Sequence, residues 1–436
     1  MREMKDSGIE WIGQIPSNWN LLPFKYILKE RSQKNNPIQL EERLSLSIGI
    51  GITLYSEKTT NLDRFKDDVS QYKLTYRGDL VINSMNVIVG AVGVTNYDGC
   101  VSPAYYTFYD EEIDHITSKF CEYVFLTPAM GKILYSLGKG IMAIDRGQGR
   151  VNTCRLKVSK YDLGRISIAI PNVGEQRKIV KFLNETCSDI DLLTSDIQKQ
   201  IDTLEQYKKS VITEAVTKGL NPDVEMKDSD EKWLGVIPTS WQMRKGKYIF
   251  TQRSQRGNNI ELQLLSPTQK YGVIPQSLYE KLSGMNAVKL DEKTDLTLLK
   301  TIHKGDYCIS LRSFQGGFEY SEYEGVVSPA YQVFYAIDKI DEGYYKYLFK
   351  DREFINKMNS YTMSLRDGKN IAYVDFGNTY IPYPTYEEQK KIADFLDKKC
   401  SEIDTIISDK KKQLKVIAEY KKSLIYEYVT GKKEVM

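Results

Sequence analysis

Three stretches of this chain recur in the same order, and such a duplication constrains the fold before any single motif is weighed, because each copy must build the same unit. Met4-Lys-Asp-Ser-Gly-Ile-Glu-Trp11-Ile-Gly13-Gln-Ile15-Pro16-Ser-Asn-Trp19 returns as Met226-Lys-Asp-Ser-Asp-Glu-Lys-Trp233-Leu-Gly235-Val-Ile237-Pro238-Thr-Ser-Trp241, and Lys25-Tyr26-Ile27 follows as Lys247-Tyr248-Ile249. Gly99 to Tyr109, with Ser102-Pro103-Ala104-Tyr105, returns as Gly325 to Tyr335, with Ser328-Pro329-Ala330-Tyr331; Gly78-Asp79 and Gly305-Asp306 precede them. Glu175-Gln176-Arg-Lys-Ile179-Val-Lys-Phe182-Leu183 returns as Glu388-Gln389-Lys-Lys-Ile392-Ala-Asp-Phe395-Leu396, running without a gap to Tyr207-Lys-Lys-Ser210 and Tyr420-Lys-Lys-Ser423. The offsets are 222, then 226 to 227, then 213, so the copies differ in length only ahead of the third stretch. At 436 residues the chain exceeds one core, which suits two units.

The third stretch carries a helical period in both copies. Ile190, Leu193, Ile197, Leu204, Tyr207 and Val211 form the expected seam of one helix, and Ile403, Ile406, Leu414, Ile417, Tyr420 and Leu424 that of the other. Thr385 before Glu388 predicts a capping box, Asn172 before Glu175 a looser version, and each start follows a proline, Pro171 or Pro384. A helix of about 40 residues is about 60 Å long and too narrowly striped to be covered by a small head, so the two helices should pack on each other. Lys410 at a seam position predicts a local irregularity. The short connection Gly219 to Asp223 predicts that the first helix ends beside the second head. If the halves are related by a pseudo-twofold, the second helix returns antiparallel toward the first head, giving a dumbbell.

The heads show short apolar or alternating runs, Asp79 to Asn83, Val87 to Val94 and Tyr105 to Tyr109, which predict strands. Lys119 to Leu137 and Tyr344 to Met358 predict amphipathic helices. The expected class is α+β: two mixed, strand-rich heads joined by an antiparallel coiled coil of two long helices. The boundaries fall at 1–171 for the first head, 172–220 for the first helix, 221–384 for a linker and the second head, and 385–436 for the second helix.

Several functions are excluded by scarcity. His115 and His303 are the only histidines, which argues against histidine zinc sites and a Ser-His-Asp triad. The cysteines, Cys100, Cys121, Cys154, Cys187, Cys308 and Cys400, are scattered without a CxxC pair or disulfide spacing, and with no apolar leader or membrane-length run the expected location is the cytoplasm. No GxxxxGK[ST] loop or GxSxG elbow is present. Pro222-Asp223 with Glu225 and Lys227 lies in a linker, unlike the two-strand arrangement of a metal nuclease. Ser-Pro-Ala-Tyr is similar to the signature of amino-methyltransferases, but its third residue is Ala and no methyl-donor loop accompanies it, so a strand-entry turn is the preferred reading. A net charge of +3 gives no global basic field, so a nucleic acid must be met by local patches. The candidates in loop-like positions are Lys139, Arg146, Gln148, Arg150, Arg253, Arg256, Arg312, Ser313, Gln315, Arg366, Lys369 and Asn370, because Arg suits guanine edges, Asn and Gln suit adenine, and Lys neutralises phosphate.

The Trp-x-Gly-x-Ile-Pro-x-x-Trp opening, Ser-Pro-Ala-Tyr, and Glu-Gln-x-Lys-Ile-x-x-Phe-Leu leading into a heptad helix, all present twice, give a resemblance over essentially the whole length. The chain resembles the specificity subunit of type I restriction-modification enzymes. The resemblance implies that each head is a target recognition domain reading half of a bipartite double-stranded DNA site, with the helices as spacer. It implies no catalysis, no metal and no cofactor in this chain: two methyltransferase subunits carry S-adenosylmethionine, and restriction/translocase subunits carry ATP and Mg. Helix faces outside the seam would dock the methyltransferases. At 3.4 Å per base pair, about 60 Å of helix limits the half-site separation to about 18 base pairs. The rivals are a self-contained adenine methyltransferase using Ser-Pro-Ala-Tyr and a scaffold without DNA contact.

Overall fold

The computed structural model describes residues 2–58, 68–111, 114–141, 155–256, 262–284, 298–309, 317–361 and 371–435. The described residues divide into two compact units, one of residues up to 141, 155–197 and 412–435, and the other of those within 198–411. Each unit thus holds one head and a portion of both long helices.

The duplication is realised strand for strand. The first head centres on an antiparallel four-stranded sheet in the order Lys29–Glu30, Tyr105–Tyr109, Leu80–Asn83, Val92–Val94. The second repeats that order with Phe250–Gln252, Gln332–Ala336, Tyr307–Ile309 and Phe318–Tyr320. The opening hairpins share one register, Met4 opposite Pro16 and Met226 opposite Pro238. In both heads a strand near the start, Asn20–Pro23 or Gln242–Lys245, pairs with the strand that feeds a long helix, Ser167–Ile170 or Tyr380–Tyr383. Among the described residues the pair Lys139–Ile141 with Arg155–Lys157 belongs to the first head alone.

Three local expectations change. The apolar run Val87 to Val94 is a 3-10 turn, Val87–Val89, followed by the strand Val92–Val94, because Gly90 takes φ +84° between them. The segment Lys119 to Leu137 is two helices, Ile116–Phe125 and Pro128–Leu137. Pro128 cannot donate into a continuing helix, and the Thr127 hydroxyl caps the new start through the Met130 N–H. Its counterpart is likewise Glu342–Leu348 and Arg352–Ser360, with Asp351 accepting from the N–H groups of Glu353 and Phe354.

The long helices run Val173–Lys218 and Tyr386–Val429, 46 and 44 residues. The glutamine of the Glu-Gln landmark is buried at each start, and Gln176 and Gln389 donate to the carbonyls of Pro171 and Pro384, both at 2.9 Å. Asn172 and Thr385 side chains accept from the N–H groups of Glu175 and Glu388. In the first unit Tyr123 donates to Asn184 near the start of the first helix, while Tyr426 near the end of the second donates to the Trp11 carbonyl. In the second unit Tyr347 donates to Asp397, and Tyr344 to the Val216 carbonyl near the end of the first helix. The first helix therefore ends against the second head, as the short linker predicts. Gly219 and Gly431 close the helices at φ +78° and +72°, where a Cβ would stand 3.3 Å and 3.2 Å from the rings of Trp241 and Trp19.

Within each unit the helices are antiparallel: Asp191 meets Lys421 and Phe182 meets Tyr428 in the first, Lys208 meets Asp404 and Glu205 meets Lys411 in the second. The stripe of buried and half-buried residues is Cys187, Ile190, Thr194, Ile197, Ile201, Leu204, Lys208 and Val211 on one helix, and Cys400, Ile403, Ile407, Lys410, Leu414, Ile417, Lys421 and Leu424 on the other. Both step alternately by four and three residues. Leu193, Tyr207, Ile406 and Tyr420, expected on the seam, instead lie one residue before it and are about half exposed. Reading apolar residues alone misplaced them, because Thr194, Lys208 and Lys421 occupy seam positions. Those polar groups are satisfied: Thr194 donates to the Ile190 carbonyl, Lys208 to Asp404 at 2.6 Å and Lys421 to Asp191 at 2.5 Å. Lys410 likewise reaches Gln200 at 2.5 Å, so the second helix stays continuous where an irregularity was expected.

Candidate nucleic-acid interface

The Gly-Asp landmark supports the central sheet of each head. Asp79 and Asp306 are buried, and each Oδ2 accepts the N–H three residues earlier, from Tyr76 or His303, at 2.9 Å. Asp79 Oδ2 also accepts from the Thr75 hydroxyl at 3.4 Å, and each carboxylate takes a two-pronged arginine. Arg31 Nε and Nη2 reach Asp79 at 2.7 and 3.2 Å, and Arg253 reaches Asp306 at 2.7 and 2.9 Å. The guanidiniums stack on Tyr109 and Tyr335 at 4.6 and 4.2 Å. Arg253, expected at the DNA, is therefore engaged inside its head, with a mostly buried side chain. Arg31 stands 222 residues earlier, at the offset of the tryptophans, so the repeat marks the position as common to both heads.

Of the other expected contacts, Lys139 is exposed on the strand Lys139–Ile141 and reaches Asp162 at 3.4 Å. Arg256 is exposed and its backbone bridges Lys300. Arg146, Gln148, Arg150, Arg312, Ser313, Gln315, Arg366, Lys369 and Asn370 lie outside the described residues. What the sequence reading missed is Lys25-Tyr26 and Lys247-Tyr248, which pass as fold landmarks in sequence but stand exposed in both heads.

Ser-Pro-Ala-Tyr is a turn into a strand. The Ser102 carbonyl accepts from Tyr105 N–H at 2.9 Å and its hydroxyl accepts from Ala104 N–H; the Ser328 carbonyl accepts from Tyr331 N–H at 3.1 Å. Lys73 and Lys300 each donate to the tyrosine carbonyl at 2.7 Å, and partial burial holds both ammonium groups below the usual lysine range. Cys100, Cys121, Cys187, Cys308 and Cys400 are free and buried, and burial pushes the Cys100 thiol up to about 11, which makes it a poor nucleophile. Among the described residues no cluster of acidic, His and Cys side chains could hold a metal, and no helix is long and apolar enough to cross a membrane.

A cavity of about 460 Å³ in the second unit is floored by Glu319 and walled by Tyr271, Tyr320, Tyr347 and Lys346. The Glu319 carboxylate is buried, holds Lys350 through Oε2 at 2.7 Å, and has no partner on Oε1. Burial pushes it up to about 7, against the attraction of Lys350. Because the folded state retains a proton that the unfolded state releases near the ordinary glutamate value of 4.5, the stabilisation from this group is fully present below that value and is lost as pH rises through 7. Thermal unfolding between pH 4 and 8 is expected to show the second unit losing about 3 kcal/mol, and Glu319→Gln to remove that dependence. A Glu319→Gln protein with the same pH profile as wild type would show that folding does not shift the titration of this carboxylate. Gly93 occupies the corresponding place in the first head, where a Cβ would stand 3.1 Å from the Gly51 Cα.

Two heads of one topology, each held by the start of one long helix and the end of the other, define a class: a duplicated two-head subunit on an antiparallel helix pair. A model of the family described as "Type I restriction modification DNA specificity domain" matches residues 238–416. The MjaVIII type I restriction enzyme specificity subunit of Methanocaldococcus jannaschii is 29% identical over 63% of this chain and 64% of its own length. The putative MjaX specificity subunit of the same organism is 24% identical over 97% of this chain and 95% of that protein. A chain in a structure of the type I R-M system has a TM-score of 0.65 at 12% identity, covering 95% of this chain and 98% of that one. The HsdS subunit from Thermoanaerobacter tengcongensis gives 0.51 at 14%, covering 96% and 98%. Residues 238–416 thus match the type I restriction modification DNA specificity domain, and nearly the whole chain is similar to a protein of the type I restriction enzyme specificity subunits.

Proposed function

We propose that the protein is the sequence-reading subunit of a type I restriction-modification complex, each head reading half of a bipartite site in double-stranded DNA. The observation that carries this reading is that the two heads share one strand order while diverging in length between the Ser-Pro-Ala-Tyr turn and the long helix. A kept frame with unequal loops suits two readers of different sequences. Continuous helices of 46 and 44 residues suit a spacer that makes half-site separation part of specificity, and linkage of the readers raises the affinity of each by effective concentration.

The apolar residues displaced from the seam support docking of partner subunits. Leu193 and Tyr420 flank it in the first unit, and Tyr207 and Ile406 flank it in the second; Leu193 matches Ile406 and Tyr207 matches Tyr420 in the repeat. Two equivalent half-exposed apolar pairs suit two copies of one partner, the methyltransferase subunit. In this reading the chain itself holds no cofactor, S-adenosylmethionine, ATP and Mg being bound by the methyltransferase and restriction/translocase subunits.

The test is to map adenine methylation in DNA modified by this chain with a methyltransferase partner, then to exchange one head for that of a relative. One half of the methylated motif is expected to change and the other to persist. Methylation altered in both halves, or unaltered, would remove modular readout. Turnover of the methyl donor by the purified chain alone would favour the rival enzyme.

A further inference from the structure

The internal repeat separates identities that packing requires from identities that it does not. Trp19 and Trp241, Asp79 and Asp306, and Gln176 and Gln389 are kept and buried, which folding explains. Tyr26 and Tyr248 are kept and are 69% and 63% exposed. Each ends a 3-10 turn, Phe24–Tyr26 or Gly246–Tyr248, and each carries the preceding lysine over its ring, Lys25 Nζ at 4.7 Å and Lys247 Nζ at 5.5 Å from the centroid. The turn packs in both heads on a short helix, Lys160–Gly164 or Tyr373–Asn378, so closely that a Cβ on Gly164 or Gly377 would stand 3.3 or 3.4 Å from the lysine Cβ.

A second stacked cation accompanies each pair. Arg165 lies 5.3 Å from the ring of Tyr161 and donates to its hydroxyl at 2.9 Å, while Lys245 lies 5.2 Å from the ring of Tyr380. Among the described residues Lys25, Arg165, Lys245 and Lys247 have no ion pair with a carboxylate, whereas the nearby Lys29 and Lys160 are paired with Glu111 and Glu30. In the first head Lys25, Tyr161 and Arg165 line a cavity of about 700 Å³. Two cations without a carboxylate ion pair beside exposed phenol rings fit a polyanion with planar or sugar surface, and they do so in both heads.

Asp162 of the first short helix meets Lys139, on the strand that enters the segment bearing Arg146, Gln148 and Arg150. The second short helix begins three residues after the segment bearing Arg366, Lys369 and Asn370. If the heads read different half-sites, the bases beneath them differ and the sugar-phosphate backbone does not. An exposed Lys-Tyr pair kept in both heads suits the constant part of the ligand.

We propose that Lys25, Tyr26 and Arg165 in the first head, and Lys247, Tyr248 and Lys245 in the second, grip the phosphate backbone of duplex DNA without regard to sequence. This rests on the duplex-reading function proposed above. Lysine supplies a point charge that tolerates any sequence, and the tyrosine holds it while offering a hydroxyl to a phosphate oxygen.

The test uses the full-length chain and a random-sequence duplex, with affinity measured over a salt series. Each phosphate contact contributes about 0.9 to the slope of log affinity against log salt, so the Lys25→Ala, Lys247→Ala double variant is expected to lose about 1.8 of slope, equally on duplexes of different sequence. Lys25→Arg with Lys247→Arg is expected to restore it. A wild-type slope in the alanine variant would overturn the inference, as would a loss confined to particular sequences or to association with a methyltransferase subunit. If the wild-type chain bound no duplex at all, the duplex-reading function would fail and this inference with it. Because the side chains are exposed, an unchanged thermal transition in the variants is expected and separates lost contact from lost fold.

Discussion

Phe250→Ala is expected to cost the second unit about 3–5 kcal/mol and to leave the first unit unchanged. The ring is fully buried and lies 5.2 to 5.8 Å from those of Tyr307, Phe334, Tyr345, Phe349 and Phe376, mostly edge-on. Its removal leaves a cavity that several large, rigid side chains line and none can fill, and it also forfeits aromatic pair terms of about 0.5–1.5 kcal/mol each. The first head has Leu28 at the matching position, in a more aliphatic core, so Phe250→Leu is expected to cost less than Phe250→Ala. Segment-resolved amide exchange reads both outcomes. Equal loss of protection in both heads would show that the units do not hold separate cores.

Arg253→Ala and Asp306→Ala are each expected to destabilise the second unit by about 3 kcal/mol, because either leaves a largely buried charge without its partner. Losing Asp306 also strands the His303 N–H. The double variant should cost much less than the sum, since neither charge is then left alone. Denaturant unfolding measures the stability, and a DNA salt series separates the two possible roles of Arg253. Its loss is expected to leave the slope of log affinity against log salt unchanged at temperatures where the variant is folded. A well-folded Arg253→Ala protein with a slope reduced by about 0.9 would return this residue to the DNA surface.

The features most legible in sequence were those carried by the repeat. The copies of Met4 to Trp19 and Met226 to Trp241 adopt one hairpin register, and the two Ser-Pro-Ala-Tyr turns lead into matching central strands. The same comparison held further information, since the coincidences of Arg31 with Arg253 and of Lys25-Tyr26 with Lys247-Tyr248 mark positions common to both heads. Local chemistry also set the breaks at Pro128 and Gly90, which an apolar count overlooked. The helix seam was misread by one residue at four places because hydrophobicity, the signal used, fails where Thr194, Lys208 and Lys421 hold core positions. A partner carboxylate on the facing helix is what makes a seam lysine tolerable, as Asp404 does for Lys208 and Asp191 for Lys421.

By itself the sequence determined that there are two units of one kind, where their long helices start, and that the helices need one another, because spacing, caps and periodicity are local properties of the chain. Only the tertiary structure decided which charges are paired inside a head and which stand exposed. Arg253 and Lys25 are both basic residues near strand ends, and they differ only in what lies opposite: a buried carboxylate 2.7 Å away for one, and an exposed tyrosine ring for the other. That distinction depends on residues brought together across the chain, so no local pattern contains it.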